Sequence, residues 1–405
     1  MSWKRTDEMN ERTILIGEWL SQEFNVSELA RRREISRKTA YKWIKRYQES
    51  GPGGLKDLSR AAHTHPNTIS PQIQQRILDW KEARPLWGAP KIHSKLVGLA
   101  GCPAESSVSN VLKRHGWIGP VRRRSRATPT PPGTLATARG PNEVWCADFK
   151  GWFRVRDGQR CDPLTISDAY SRFLLCCRGL AGAAGLHAVR PWFERTFREY
   201  GLPRVLRTDN GPPFASAGLG GLSLLAVWWL RLGIEVERIE PGHPEQNGRH
   251  ERMHRTLKEA TTRPVAANLR AQQKVFDRFR EDYNYDRPHE ALSQKPPATV
   301  YARSGREYPS KLLSPEYDAG WVERTVRSNG EIRWKGAKWF VSEPLIGQRI
   351  GLKPVADGLW VIHFMSLELG VLNERQQRIE RRKWTVLVEG RTSTAPTSGA
   401  PGATT

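Results

Sequence analysis

Apolar residues recur every three to four positions over Thr13 to Leu20, over Ser27 to Arg31 and over Arg37 to Tyr47. That spacing predicts three helices. Ser27 and Ser36 stand where side chains cap the second and third, and Glu34-Ile35 makes the tight turn between them. In the third helix Ala40, Trp43, Ile44 and Tyr47 share the inward face. Arg37, Lys38, Thr39, Tyr41 and Lys42 are left at its exposed N-terminal end. This is a helix-turn-helix pattern, whose last helix meets base edges. Gly51-Pro-Gly-Gly54 ends it, and a Thr/Pro/His linker runs over 60–69. A second helical unit follows. Ser70-Pro71 opens a helix that is apolar on one face from Ile73 to Trp80, proline being suited to the first helical position. Lys91 to Leu99 and Glu105 to His115 are the next two. This set resembles a second helix-turn-helix, with Ser106, Ser107, Ser109, Asn110, Lys113 and Arg114 available to DNA.

Near residue 142 the period changes from helical to alternating. Glu143 to Phe153 reads as a strand with Asp148 in its middle. A hairpin turn at Asp157-Gly158 leads to strands Cys161–Asp168 and Arg172–Cys177. Then come a helix from His187 to Tyr200, a strand from Arg204 to Arg207, a Leu/Trp-rich helix from Ser223 to Leu232, a helix from Arg249 and another over Val275–Tyr285. The order predicts an α/β sheet. Residues 303–320 read as a Pro/Ser/Gly linker. The short strands after it, within 322–375, suggest a small SH3-like β-barrel, followed by a disordered tail over 388–405.

Charge sharpens the picture. The 405 residues carry 65 Lys/Arg against 42 Asp/Glu, a net charge of +23, so a polyanionic partner is expected. Residues 1–140 hold +13 of it. Val121-Arg122-Arg123-Arg124-Ser-Arg126, in a Pro-rich linker over 121–140, suits phosphate or minor-groove contact, or serves as a solubilising tether. Five cysteines without a C-x-x-C pair suggest a reducing cytosol and no structural zinc. The charged N-terminus and the lack of an 18-residue apolar run predict neither signal peptide nor membrane span.

Three acids carry the candidate chemistry. Asp148 sits inside an apolar strand, where a carboxylate is costly unless a partner or metal compensates it. Asp209 ends the strand of Leu-Arg-Thr-Asp209-Asn-Gly. Glu251 stands in the first turn of the helix that follows Asn247-Gly248. Trp-x-x-Asp148, Thr-Asp209-Asn-Gly and Asn-Gly-x-x-Glu251-Arg-x-His-Arg together resemble the catalytic core of the retroviral integrase and DDE transposase superfamily. The likeness is closest to bacterial insertion-sequence transposases with helix-turn-helix arms. It covers residues 141–302 most strongly, and it implies a ribonuclease H-like core.

Counting favours a different third acid. Between Asp209 and Glu245 lie 35 residues, the superfamily's frequent spacing, and between Asp209 and Glu251 lie 41. Glu251 is preferred because metal geometry wants a rigid element and Glu245 sits in a Pro/His/Gln/Gly loop. The extra six residues fit an insertion at 218–223. Arg255 and Lys258 share the stripe of Glu251 and add phosphate-binding cations. Asp168 is read as a turn former, and Arg287 and His289 as structural or DNA-positioning residues.

The expected domains are a helix-turn-helix at 1–58, a second at 68–120, the basic linker, the core at 141–302, the small barrel at 322–375 and the tail. The expected activity is a DNA transposase in which Asp148, Asp209 and Glu251 hold two Mg²⁺ ions, with Mn²⁺ as a substitute, for DNA cleavage and strand transfer. Expected partners are double-stranded DNA, as element ends and as target, and further copies of the chain in a homodimer or larger oligomer. The expected location is the bacterial cytoplasm, at the nucleoid. The alternatives are a catalytically inactive DNA-binding regulator and a nuclease acting on RNA–DNA hybrids.

Overall fold

The computed structural model describes residues 8–59, 68–119, 135–182, 185–216, 218–239, 246 and 248–381. Arg122, Arg123, Arg124, the loop acid Glu245 and the tail 388–405 lie outside the described residues. Contacts divide the chain into two units, Met1–Thr68 and Ile69–Thr405.

The first unit holds α1 (Glu8–Leu20), α2 (Val26–Arg32) and α3 (Arg37–Ser50). Asn25, not Ser27, caps α2: its side chain accepts from the Glu28 N–H, and Glu28 returns a bond to the Asn25 N–H, a reciprocal capping box. Ser36 caps α3 as expected. Ala40, Trp43 and Ile44 are buried against Leu15, Ile16 and Leu29. Arg37, Lys38, Tyr41 and Lys42 are exposed, and Thr39 is half-buried with its hydroxyl 2.9 Å from that of Ser36.

The second unit opens with α4 (Pro71–Ala83), α5 (Ala89–Leu96) and α6 (Glu105–Arg114), which enclose Ile77, Trp87, Ile92 and Leu112. Asn110 and Lys113 are exposed on α6, and Ser107 is half-buried. A mixed sheet follows, built from β1 (Val144–Phe149), β2 (Phe153–Arg154), β3 (Arg160–Asp168), β4 (Leu174–Ala181), β5 (Val205–Thr208) and β6 (Glu235–Arg238). β3 pairs antiparallel with β1, β2 and β4, while β1–β5 and β5–β6 are parallel. Where the alternation of residues 143–153 reads as one strand, the ladder stops at Phe149. Gly151 turns the chain at φ +86° before β2 begins. Helices α7 (Leu186–Tyr200), α8 (Leu224–Arg231), α9 (Gly248–Thr261) and α10 (Leu269–Glu281) cover the sheet. Asp168 is 1% exposed and accepts from the Ser171 N–H and hydroxyl and from the Asn142 N–H, the turn-forming role expected of it.

Beyond the core lie β7 (Val322–Thr325), β8 (Glu331–Trp334), β9 (Ala337–Phe340), β10 (Arg349–Ala356), β11 (Leu359–Phe364), β12 (Leu367–Asn373) and β13 (Arg378–Arg381). Where the pattern suggests a barrel, five of them form an open antiparallel sheet in the order β13-β12-β11-β10-β7, with β8 and β9 as a separate hairpin. The expected linker at 303–320 is strapped to the core. Ser304 N–H bonds Tyr200 O, Leu202 N–H bonds Arg306 O, and Leu313 N–H bonds Arg231 O, at 2.9, 2.7 and 2.8 Å. Residues 218–223 have a packing role that their composition hides. They carry Leu219, which is 5% exposed and packs on β12. One apolar cluster therefore runs from Trp145 through α8 to Ile350 and Leu369.

Candidate active site

β1 and β5 are parallel neighbours with Ala147 opposite Thr208. The next residue on each chain is an acid, Asp148 and Asp209. Adjacent strands run about 4.8 Å apart, so the sheet sets these two carboxyl groups side by side. Asp209 is half-buried, and its Oδ1 accepts from the Gly211 N–H at 3.2 Å. Glu251 is exposed in the first turn of α9.

A buried polar network joins α9 to the sheet. Thr165 lies directly opposite Asp148 in the β1–β3 ladder. Its hydroxyl bonds the Asp148 carbonyl at 3.1 Å and stands 2.7 Å from His250 Nε2 and 2.7 Å from His254 Nε2. Ser167 Oγ is 2.9 Å from His250 Nδ1. A threonine hydroxyl has one proton and two lone pairs. If that proton goes to the Asp148 carbonyl, both imidazoles donate from Nε2. The Nδ1 lone pair of His254 then faces Asp148 Oδ2, 3.8 Å away. Burial supports neutral rings: it pushes His250 down to about 3 and His254, with the neighbouring His250 and Lys150 charges, down to about 2.

Asp148 is pushed up to about 7, first by burial and then by the carboxylate of Asp209, with Glu251 adding in the same direction. The backbone N–H of Phe149 and the ammonium of Lys150 pull the other way. Asp209 is raised by burial, against its bond from Gly211 and the charge of Arg238. Asp209 and Glu251 are thus both within electrostatic reach of Asp148. Asp148, His250 and His254 also form a cluster of metal-ligand type. Three of the four ring nitrogens are engaged with hydroxyls, however, so the carboxylates are the better donors. A trio of carboxylate oxygens matches hard divalent cations, and such a cation relieves the mutual repulsion that raises Asp148.

Arg255 and Lys258 are exposed on the stripe of α9 that carries Glu251. Lys150 was not singled out by the sequence reading. It follows Asp148 by two positions, is half-buried, and is lowered by burial and by the charge of Lys258. The available signal was the strand alternation Asp148-x-Lys150, which puts both side chains on one face. A second surprise is the attachment of the α4–α6 unit to the core. Arg84 pairs with Asp282 and Asp286, both at 2.9 Å, and Lys95 pairs with Asp286 at 2.8 Å. Lys91 Nζ bonds the Pro288 carbonyl.

Comparison with known proteins adds the following. The family described as Integrase core domain matches residues 138–244, and a second family of that description matches residues 232–297. Helix-turn-helix domain matches 11–63 and Homeodomain-like domain 39–112. IS481 family transposase, C-terminal domain matches 322–380. The 31.7 kDa protein of insertion element IS407 from Burkholderia multivorans is 28% identical over 241 residues, 59% of this chain and 83% of the relative. The 39.2 kDa protein of insertion element IS476 from Xanthomonas euvesicatoria is 26% identical over 253 residues, 61% of this chain and 70% of the relative. Among solved structures, the HTLV-2 integrase catalytic core domain in complex with magnesium aligns at 15% identity and TM-score 0.32, over 41% of this chain and 100% of that one.

Proposed function

We propose that this chain, which matches two Integrase core domain families and the IS481 family transposase C-terminal domain and is similar to insertion-element proteins, is a transposase that cuts the ends of an insertion element and joins them to target DNA. What supports the reading is the register that sets Asp148 and Asp209 at neighbouring ends of parallel β1 and β5, with Glu251 in the first turn of α9, the helix tied to β3 opposite Asp148.

In this reading Asp148, Asp209 and Glu251 would hold divalent cations, two Mg²⁺ or the Mn²⁺ that replaces them, which would supply charge neutralisation for an in-line displacement at phosphorus. The chain's own residues position the DNA. The side chains at the N-terminal end of α3, and Ser107, Asn110 and Lys113 along α6, read the element ends, and the arginines at 122–124 track the backbone. Arg255 and Lys258, beside Glu251, hold phosphates flanking the scissile bond. The Thr165 network fixes α9 on β3, and so fixes Glu251 against Asp148. Water is the first nucleophile and frees a 3′-OH. That 3′-OH then displaces a target phosphodiester at the same site. No side chain becomes covalently attached, so no serine or tyrosine nucleophile is required.

The arms are residues 1–58 and 68–120, the linker 121–140 and the core 141–302. The 322–375 module makes sequence-tolerant contacts to DNA or to a second copy. The active assembly is a homodimer or larger, working on DNA in the cytoplasm. Asp148→Asn should abolish Mg²⁺-dependent cleavage and joining of labelled ends while end binding persists. Joining by Asp148→Asn at the wild-type rate would overturn the mechanism.

A further inference from the structure

β1 stops at Phe149, and Gly151, at φ +86° with open space around it, swings the chain outward. The next residue is Trp152, a large aromatic that is 55% exposed. Its surroundings are built. The Arg160 guanidinium lies 5.0 Å from the Trp152 ring and that of Arg154 lies 5.9 Å from it. Neither cation hangs free. Arg160 makes a two-pronged bond to buried Asp162, at 2.8 and 3.0 Å, and Arg154 bonds the Gly158 carbonyl at 2.7 Å. Lys150 is tied to β3 through its N–H on the Pro163 carbonyl, and its side chain is within electrostatic reach of Asp148 and Lys258. Trp152 is four positions from Asp148, a reach of at most about 14 Å.

An exposed indole flanked by fixed cations is the arrangement that binds unpaired nucleotides: the ring stacks a base and the cations take its phosphates. We propose that the Lys150–Trp152 turn is a binding site for an unpaired nucleotide at the DNA end being processed, with Trp152 stacking the base and Lys150, Arg154 and Arg160 holding the adjoining phosphates. The inference rests on the reading above that the acids process DNA ends. It adds that the enzyme grips a frayed end more tightly than a paired one. Stacking tolerates any base, so the preference is independent of terminal sequence.

The test uses the full chain and a random-sequence duplex, either blunt or carrying unpaired terminal nucleotides with 2-aminopurine at the first. Wild type should bind the frayed duplex more tightly and quench the 2-aminopurine. Trp152→Ala should lose both effects, with the frayed-over-blunt preference falling by roughly 5- to 150-fold, while its affinity for the blunt duplex stays near wild type. Trp152→Phe should keep most of the preference. A merely structural role would weaken both duplexes alike. An unchanged preference in Trp152→Ala overturns the inference, as does equal weakening on both duplexes. Mg²⁺-dependent plasmid nicking by wild type is measured alongside. Nicking with no Trp152 effect sinks this inference alone; no nicking with the Trp152 effect intact sinks the reading of the acids and leaves the nucleotide site standing.

Discussion

Replacing Thr165 by valine keeps the shape of the side chain and removes the hydroxyl that His250 and His254 share. The residue is fully buried, so no water replaces it. His250 retains Ser167, but its Nε2 and that of His254 lose their partner, as does the bond to the Asp148 carbonyl. An unsatisfied buried polar group costs roughly 1–3 kcal/mol. Two such nitrogens give about 2–6 kcal/mol, centred on about 4. With about 2–4 °C lost per kcal/mol in a domain of this size, the melting temperature should fall by about 8–16 °C. Thr165→Ser keeps the hydroxyl and deletes one methyl, so its cost should stay near 1 kcal/mol.

Position in the fold makes this more than a stability experiment. Thr165 sits opposite Asp148, and the imidazoles it holds flank Glu251 on α9. Loosening that joint lets the two acids drift apart. Calorimetry reports the stability, hydrogen exchange along α9 reports the joint, and a cleavage assay well below the melting temperature reports the site. Thr165→Val should show faster exchange in α9 and a cleavage loss of at least tenfold, with Thr165→Ser close to wild type in both. If Thr165→Val melts within about 1 °C of wild type with α9 protection intact, the network is not the joint described here.

Glu251→Gln should abolish cleavage while Glu245→Gln has a mild effect; the reverse result in the same assay reassigns the third acid. The pH dependence has a definite sign. His250 and His254 are lowered from 6.5 to about 3 and about 2, so their contribution is full above pH 6.5 and is lost as pH falls toward those values. Asp148 is raised from 3.8 to about 7, so in EDTA its contribution is full below pH 4 and is lost as pH rises through 7. Near pH 5 these oppose one another, and Asp148→Asn, which removes the opposing group, should steepen the acid-side fall in melting temperature; an unaltered slope would show that Asp148 does not titrate there. Asp286→Asn removes partners from Arg84 and Lys95, which is worth about 1–2 kcal/mol for part-exposed pairs. The loss of melting temperature should shrink in high salt, and a salt-independent loss would mean the pairs are not what ties the α4–α6 unit to the core.

What the sequence discloses here follows from the range of the interactions involved. The cap at Ser36, the helix start at Ser70-Pro71 and the Asp168 turn follow from local pattern, which places the helices too, although α10 begins at Leu269, six residues before the expected Val275. Asn25 displaced Ser27 because a capping box is decided by which of two neighbouring polar residues finds its glutamate at the right spacing. Strand length was misjudged at Gly151 because alternation of side chains persists where the backbone has already turned. The places of Asp148 in β1, Asp209 just after β5 and Glu251 in the first turn of α9 were legible because strand ends and helix starts carry recognisable turn residues. What holds them was not, since Thr165 and His254 are 89 positions apart, as Arg84 and Asp286 are 202 apart, and no periodicity links such pairs. Local pattern names the candidate acids, whereas the buried Thr165 hydroxyl between two imidazoles ties the helix of Glu251 to the strand beside Asp148. A variant that keeps all three acids and loses that hydroxyl should therefore be a poor enzyme with an intact signature.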